Sequence, residues 1–290
     1  GIKFAVQHRR LNHQRRRRRR NVIRRRAVCC RCTSYQCFDM VNHGDCLTYR
    51  GTPGNPCQTR DTPLISRHRR SNLDAMEKIT PFRNKLETND KDRRCFSPST
   101  ERNRDPILEV LKRVLPETGT VVEIGSGTGQ HAAFFVPLFP ELEWQPTDIE
   151  PELVISIDAW RDEVQAPNLL PAIHLDVLEM PWPVIEADAV VSCNMIHIAP
   201  WVCCEALIAG AAEVLPSGGV LFLYGPFQVG GVHISASNTA FDLDLRSRNP
   251  EWGVRNLDDV AERALERGFQ LAETVRMPAN NLSVIFNRKG

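Results

Sequence analysis

Apolar and polar positions alternate in blocks through the last two thirds of the chain, and the blocks predict strands and helices in turn. Short continuous apolar runs are typical of strands buried on both faces, whereas apolar positions three and four apart mark one face of a helix. The apolar runs predict five strands, at 120–124, 143–147, 171–175, 187–193 and 219–224. The helical spacing predicts helices between them, at 105–115, 130–138, 151–163 and 200–215.

The residues at the boundaries of the first and last predicted helices indicate where these helices begin and end. Asp105-Pro106 favours a helix start, because a carboxylate caps a first turn and proline fits the first helical position. After a long polar loop, Asn256 is expected to cap a last helix that ends at Gly268. Two strands then follow, at 269–276 and 282–286, and the short link "MPANN" requires them to pair antiparallel.

Strands that alternate with helices predict a parallel sheet with right-handed crossovers. We therefore predict an α/β fold: a doubly wound, mostly parallel, seven-stranded sheet with an antiparallel C-terminal hairpin. We place this domain at residues 99–290, after a linker at 76–98.

Charge separates the first 75 residues from the rest. They carry 18 Lys and Arg against 4 Asp and Glu, so the remainder has a net charge of −12 in a chain of +2. The run Arg15–Arg20 and the lack of apolar periodicity predict a basic, disordered tail. Two interpretations stand: a solvated and even extraneous extension, or a tether to RNA or the nucleus. The acidic folded part is not expected to bind nucleic acid.

Cysteine usage and hydropathy favour the cytoplasm, or the nucleus if the tail acts as an import signal. Cys29-x-x-Cys32 has the spacing of half a zinc site but lacks a matching second half, so no metal is expected. Cys193, Cys203 and Cys204 lie in segments predicted to be packed. The chain has no apolar run of the length that a membrane span needs, and its N-terminus has no secretory h-region.

A glycine-rich turn, "EIGSGTGQH", follows the first predicted strand. Glycines there allow positive φ and close approach of a ligand at the carboxyl ends of the strands. The dinucleotide spacing would place a third glycine where Gln130 stands, and the Lys-Ser/Thr of a phosphate-binding loop is absent. We therefore expect the turn to hold a different nucleoside, through the residues Glu123, Gly125, Ser126, Gly127, Thr128 and Gly129.

Carboxylates end the first three predicted strands in succession. Glu123 suits a ligand with a positive amino group, and Asp148 can accept hydrogen bonds from both ribose hydroxyls. Asp176, followed by Val177, can accept from an exocyclic adenine amine, although an acid there can also cap the next helix. Together they fit S-adenosylmethionine.

The segment "VVEIGSGTGQH" resembles motif I of class I methyltransferases, which have a Rossmann-like sheet. The segments "ERNRDPIL", "WQPTD", "NMIHIAPW", "YGPF", "SNTAFDLDLRSRNPEWGVRN" and "MPANNLSVIF" resemble the methyltransferase-like protein 26 family over residues 97–288. The resemblance implies the class I fold and S-adenosylmethionine binding. It implies no methyl acceptor.

Candidates for the chemistry follow the fourth and fifth strands. Asn194 could hold the cofactor and orient an acceptor, and His197 could act as a general base. The alternative for His197 is packing under the next helix. Tyr224 could line an acceptor pocket or serve as an ordinary strand aromatic.

The segment 225–255 is long for a connector and suggests a lid or substrate wall. Its candidate contacts are Asn238, Asp242, Arg246 and Arg255, with Arg246 alternatively paired to Asp242. Further candidates near the cofactor or the closing hairpin are Arg102, Asn103, Asn280 and Asn281. The predicted function is an S-adenosylmethionine-dependent methyltransferase with an unknown small-molecule or protein acceptor. The alternatives are a non-catalytic scaffold of the same fold and an RNA-associated protein tethered by its tail.

Overall fold

The computed structural model of the chain describes residues 92–184 and 186–290. The basic tail predicted at 1–75, with Cys29 and Cys32, lies outside the described residues, as does the linker up to residue 91. Among the described residues, no helix combines the length and the apolar character needed to cross a membrane.

Six helices and ten strands make up the described part of the chain. The helices are α1 Pro98–Val114, α2 Gln130–Phe135, α3 Pro151–Val164, α4 Trp201–Val214, α5 Ala236–Arg248 and α6 Leu257–Glu266. The strands are β1 Gly119–Ile124, β2 Leu142–Asp148, β3 Ile173–His174, β4 Ala189–Cys193, β5 Val220–Gly225, β6 Phe227–Val229, β7 Val232–His233, β8 Arg255–Asn256, β9 Phe269–Met277 and β10 Asn281–Arg288. Short 3₁₀ turns cover Val136–Leu138, Met195–His197 and Pro278–Asn280.

The main sheet has seven strands in the order β3-β2-β1-β4-β5-β10-β9. Strands β1 to β5 pair in parallel, and β10 runs antiparallel to both β5 and β9. This confirms the predicted doubly wound sheet with its C-terminal hairpin. The strand order reverses between β1 and β4, which opens a crevice at their carboxyl ends, where open α/β sheets bind ligands.

The core lies on both faces of this sheet, because consecutive strand residues point to opposite sides. Val121 in β1 packs in the cluster under α1 and α2, whereas Val122 packs in the cluster under α4 and α6. The continuous apolar run of β4 follows from this burial on both faces.

The predicted start of the first helix at Asp105 is wrong. Helix α1 begins at Pro98, so Pro106 lies inside it. Proline at the first helical position and Glu101 in the first turn favour that earlier start. The two N-terminal turns carry almost no apolar side chain, and the apolar period therefore marks only the later turns.

The segment 225–255 is largely regular structure rather than a loop. It holds β6, β7 and β8, which form a small sheet in the order β7-β6-β8, and helix α5. Ser235 caps α5 by accepting the backbone N–H of Asn238 at 3.1 Å. Most side chains of α5 face solvent, which conceals its helical period in the sequence. The strand predicted at 171–175 pairs only at Ile173–His174.

Residues 94–97, which we call the strap, run across helix α3. The Cys95 N–H donates to Ser156 Oγ at 2.7 Å, and the Trp160 indole N–H donates to the Cys95 carbonyl at 3.0 Å. The Arg94 guanidinium lies 5.0 Å from the Trp160 ring centre. These contacts hold the strap beside the carboxyl ends of the strands.

Candidate functional site

A cavity of about 330 Å³ lies in the crevice between β1 and β4. The strap, helix α1, the turn after β1 and the ends of β2, β3 and β4 enclose it. The residues that line it are Ser97, Ser99, Thr100, Asn103, Ile124, Gly125, Ser126, Gly127, Thr128, His131, Asp148, Ile149, Glu150, Leu153, Leu175, Asp176, Val177, Cys193, Asn194, Met195, Ile198, Ala199, Pro200, Cys203 and Trp252.

The glycine turn forms one wall of the cavity. Gly125 and Gly127 both have positive φ, at 68° and 59°. A Cβ on Gly127 would meet no atom within 4 Å, so its backbone faces open space. The Ser126 N–H donates to the Thr147 carbonyl at 2.8 Å, which ties the turn to the end of β2. The turn therefore presents bare backbone to the cavity.

Asp148 ends β2 and braces the turn. One carboxylate oxygen accepts the Gly127 N–H at 2.8 Å, and the other accepts the Glu150 N–H at 3.0 Å. Burial raises the pKa of Asp148, and these backbone donors oppose that shift. Each carboxylate oxygen offers two lone-pair sites, so both keep capacity for a further donor from the cavity.

The far end of the cavity combines apolar side chains with a carboxylate. Leu153 of α3, Leu175 and Val177 line it beside Asp176. Asp176 accepts the Leu178 N–H at 2.9 Å through one oxygen. Such an end suits a flat apolar ring that bears a hydrogen-bond donor.

Asn194 lies at the end of β4, in the left-handed region with φ 65°. Its N–H donates to the Tyr224 carbonyl at 2.7 Å, which fixes the start of the following 3₁₀ turn. A Cβ on Gly125 would lie 3.0 Å from Met195 Cγ. The turn after β4 therefore closes tightly over the turn after β1.

Glu123 and Gly129 do not line the cavity. The Glu123 side chain is buried and accepts the Trp144 indole N–H at 3.1 Å. Burial raises the pKa of Glu123 to about 7. Gly129 faces helix α3 instead, where an added Cβ would lie 2.8 Å from the Ile157 Cα.

His197, a candidate general base with packing as its alternative, does not line the cavity. Its side chain is fully buried, with its ring edge-on to Phe227 at 4.8 Å between centroids. Nδ1 accepts the backbone N–H of Arg255 at 3.2 Å, so the proton of the neutral ring sits on Nε2. Burial, followed by the charge of Arg255, lowers the pKa of His197 to about 3. The position matches the packing alternative.

Tyr224 lies under helix α1 and is buried rather than lining the cavity. Its hydroxyl accepts the side-chain N–H of Asn281 at 2.8 Å. Burial raises the pKa of Tyr224, and the side chains of Asn281 and Asn103 oppose the shift. Of these residues, Asn103 is the one that extends to the cavity.

The polar residues proposed for 225–255 bind other parts of the protein and do not line the cavity. Arg246 Nε donates to Asp242 at 2.9 Å, which confirms the pairing alternative. Asp242 also accepts the Val254 N–H at 2.7 Å. Arg255 donates through Nε to the Ile196 carbonyl at 2.9 Å. Trp252, two residues before Val254, is the part of this segment that lines the cavity.

Apart from Asn103, the residues at the strap end of the cavity were not predicted from the sequence. His131, in the first turn of α2, lines the cavity with Ser97, Ser99 and Thr100. The signal for His131 was its place directly after the glycine turn. No pattern in the sequence marked Ser97 and Ser99, because both lie before the predicted start of the first helix. Across residues 92–184 and 186–290, no cluster of His, Cys, Asp and Glu could hold a metal ion.

The family described as "Protein of unknown function (DUF938)" matches residues 94–288 of the chain. That match spans the strap, the sheet and all six helices.

Solved methyltransferase structures share the fold. An O-methyltransferase family protein from Burkholderia thailandensis superposes with a TM-score of 0.59 and 16% identity, over 77% of this chain and 69% of that chain. An O-methyltransferase family 2 protein from Planctomyces limnophilus, in complex with apigenin, gives 0.54 and 16%, over 64% and 61%. NcsB1 of neocarzinostatin biosynthesis, in complex with S-adenosylmethionine and 2-hydroxy-5-methyl naphthoic acid, gives 0.55 and 16%, over 66% and 54%. The chain thus spans 54% to 69% of the length of these neighbours and has a methyltransferase fold.

Proposed function

The chain belongs to the DUF938 family, and from that premise we propose that it binds S-adenosylmethionine and transfers its methyl group to an acceptor. The observation that carries the proposal is one cavity in which the bare turn after β1 meets the carboxylates at the ends of β2 and β3. The methyltransferase fold supports it. The resemblance to the methyltransferase-like protein 26 family points the same way and remains part of the proposal.

The residues present fit the cofactor. Gly125, Ser126 and Gly127 offer backbone to the amino-acid tail, and the open face of Gly127 leaves room for it. Asp148 would accept from the ribose hydroxyls with its free lone pairs. Asp176 and Val177 would contact the adenine. When bound, the cofactor supplies an electrophilic sulfonium methyl, so the chemistry requires no metal.

The chain's own task is then to position the acceptor and exclude water. Asn194 lies in the wall between the turn after β1 and helix α4, where it can orient the reacting groups. Thr128 lines the cavity beside the turn and is buried. Gly129 supports the turn from outside by its close approach to helix α3. The Glu123 carbonyl supports the turn by accepting the Ser126 hydroxyl at 3.3 Å.

Isothermal titration of the full chain with S-adenosylmethionine and S-adenosylhomocysteine tests the proposal. We expect both to bind, and NADH to fail to bind. Asp148→Asn should weaken binding about tenfold or more, because a hydrogen bond to a charged group contributes about 1.5–3 kcal/mol. Asp188→Asn is the matched control. Asp188 also accepts a backbone N–H, from Thr120 at 2.8 Å, but it does not line the cavity.

No binding by the unaltered chain, or equal losses of affinity in both variants, contradicts the proposal.

A scaffold of the same fold would bind the cofactor but transfer no methyl group to any compound in a broad acceptor panel. For the RNA-tether alternative, deletion of residues 1–75 should abolish RNA retention. An unchanged RNA retention after that deletion removes the alternative.

A further inference from the structure

The cavity has a second end, opposite the acids of β2 and β3. The strap and the first turns of α1 contribute Ser97, Ser99, Thr100 and Asn103 to it, and His131 and Cys193 complete it. Every one of these side chains is small or carries a neutral polar group. The end therefore has hydrogen-bonding capacity without a fixed charge.

His131 is held in one orientation at this end. Its Nε2 lies 2.8 Å from Asn103 Oδ1, and its ring stacks on Phe135 with centroids 5.3 Å apart. An amide oxygen only accepts hydrogen bonds, so Nε2 of the neutral ring must carry the proton. Nδ1 is then left with a free lone pair, and no described residue donates to it.

Charge divides the cavity into two unlike halves. The carboxylates that line it, Asp148, Glu150 and Asp176, all belong to the half built by β2 and β3. Among the described residues that line it, none is Lys or Arg. Burial, followed by the charge of Arg104, lowers the pKa of His131 to about 4, so its ring is neutral near pH 7. Burial raises the pKa of the Cys193 thiol, which is also neutral.

These features disfavour an anionic acceptor. A carboxylate or phosphate would lose its hydration without gaining a Lys or Arg side chain in the lining, and it would face like charges across the cavity. A hydroxyl group is favoured instead, because Nδ1 of His131 can accept the hydrogen bond that a buried O–H must donate.

We propose that the strap end of the cavity takes an uncharged small molecule with a hydroxyl group, and that His131 Nδ1 accepts that hydroxyl's hydrogen bond and then its proton. Asn103 is the positioning residue that fixes the tautomer. The inference rests on the proposed function, since it names the acceptor class and the base for the same cavity.

The transfer balances in atoms and charge. A lone pair of the acceptor oxygen forms the new bond to the methyl carbon, and the carbon–sulfur bond breaks with its electron pair left on sulfur. The oxygen becomes strongly acidic as the ether forms, so even a weakly basic imidazole takes its proton. The single positive charge passes from the sulfonium to His131, which then releases the proton to water.

Nitrogen NMR of the imidazole rings in the full chain tests the tautomer without any turnover. At neutral pH we expect His131 to show a protonated Nε2 and an unprotonated Nδ1. Asn103→Leu should convert this into a mixture of tautomers, because the acceptor for Nε2–H is lost. The exposed His174 of β3 is the internal reference. A protonated Nδ1 in the unaltered chain overturns the inference.

Two neutral probes and one anion of similar size test the acceptor class. With S-adenosylhomocysteine at saturation, phenol and benzyl alcohol should each shift the Nδ1 resonance of His131 and leave His174 in place. Benzoate should cause at least tenfold less shift at equal concentration. Equal shifts by benzoate, or no shift by either alcohol, overturn the inference.

Failure of the proposed function and failure of the acceptor assignment give different results. If S-adenosylhomocysteine does not bind in titration calorimetry, the proposed function fails. If it binds and the NMR outcomes are contradicted, only the acceptor class and the role of His131 fail. If the protein is found to methylate an alcohol, the rates of the unaltered chain and of a His131 variant can be compared. His131→Gln should then slow the chemical step about 100-fold at saturating cofactor, a typical effect of losing a general base.

Discussion

The Trp144 indole N–H donates to the Glu123 carboxylate at 3.1 Å, and both side chains are buried directly behind the glycine turn. The pairing places a titratable group of β1 where water does not reach it. A carboxylate so placed is costly to ionise, and the donors from Trp144 and Ser126 offset only part of that cost. Glu123 should therefore contribute a pH-dependent term to the stability of the fold.

The pKa of Glu123 is raised from 4.5 to about 7, chiefly by burial. Below pH 4.5 the group is protonated in both the folded and unfolded states. Between 4.5 and 7 the unfolded chain releases the proton first, so the free energy of unfolding falls as pH rises, and it levels off above 7. We expect a loss of about 3 kcal/mol across that window.

Glu123→Gln isolates this contribution, because an amide oxygen can still accept from Trp144 but cannot ionise. The difference in unfolding free energy between variant and unaltered chain should grow in favour of the variant from pH 5 to pH 8. The two histidines with lowered pKa act in the opposite sense at acid pH and cancel in this difference. Urea unfolding at each pH measures it, and a difference that does not vary with pH contradicts the prediction.

Two glycines of the turn should respond differently to alanine. Gly127→Ala costs about 1–2 kcal/mol of left-handed strain but meets no neighbour, so its main effect should be a loss of cofactor affinity. Gly129→Ala adds a steric overlap with the Ile157 backbone at 2.8 Å, so it should lose roughly 1–3 kcal/mol more stability. Thermal unfolding and calorimetric titration of both variants check the contrast. Similar stability losses in the two would refute it.

In helix α4, the Trp182 ring packs so closely on Gly210 that no side chain fits there. A Cβ on Gly210 would lie 2.1 Å from that ring, although alanine is normally favoured over glycine in a helix by about 1 kcal/mol. Gly210→Ala should therefore destabilise the fold, by roughly 1–3 kcal/mol. The same change made in Trp182→Leu should be neutral or stabilising. A double-mutant cycle from urea unfolding gives the coupling, and additive effects would argue against the packing explanation.

Asp242 should hold the segment that carries Trp252. It accepts from Arg246 and from the Val254 N–H, and its side chain is 10% exposed. Asp242→Ala should speed hydrogen exchange at 251–255 and destabilise the fold by about 1–3 kcal/mol, because the Val254 donor loses its partner. Asp244→Ala is the matched control on the same helix. Asp244 pairs with Arg248 and its side chain is 47% exposed, so the expected change is below about 0.5 kcal/mol.

The sheet and the half of the cavity proposed for the cofactor were largely predictable, because each strand and the turn after β1 is a continuous stretch of sequence with its own pattern. Buried parallel strands give unbroken apolar runs, and the turn after β1 has glycine at positions that adopt positive φ. The acids that follow β2 and β3 line the cavity as expected. Glu123 does not, because strand alternation points its side chain toward Trp144.

The strap half was not predictable in the same way. It is assembled from polar residues before the apolar period of α1 and from His131, whose place after the glycine turn does not by itself show whether its ring faces a cavity or packs in the core. His197 shows the converse case. Its place after β4 favoured the cavity, yet its ring packs against Phe227 and takes the Arg255 N–H. Only tertiary contacts separate the two histidines.

The two halves of the cavity also come from separate parts of the chain. The wall proposed for the nucleoside derives from residues 124–177, whereas the opposite wall combines His131 and Cys193 with the strap and the first turns of α1. Under the proposed function, substitutions in those few turns of α1 would change the preferred acceptor and leave cofactor binding intact. If the proposed function holds, substrate preference can diverge without any change in the sheet, and replacing the strap and the first turns of α1 is the direct way to alter it by design.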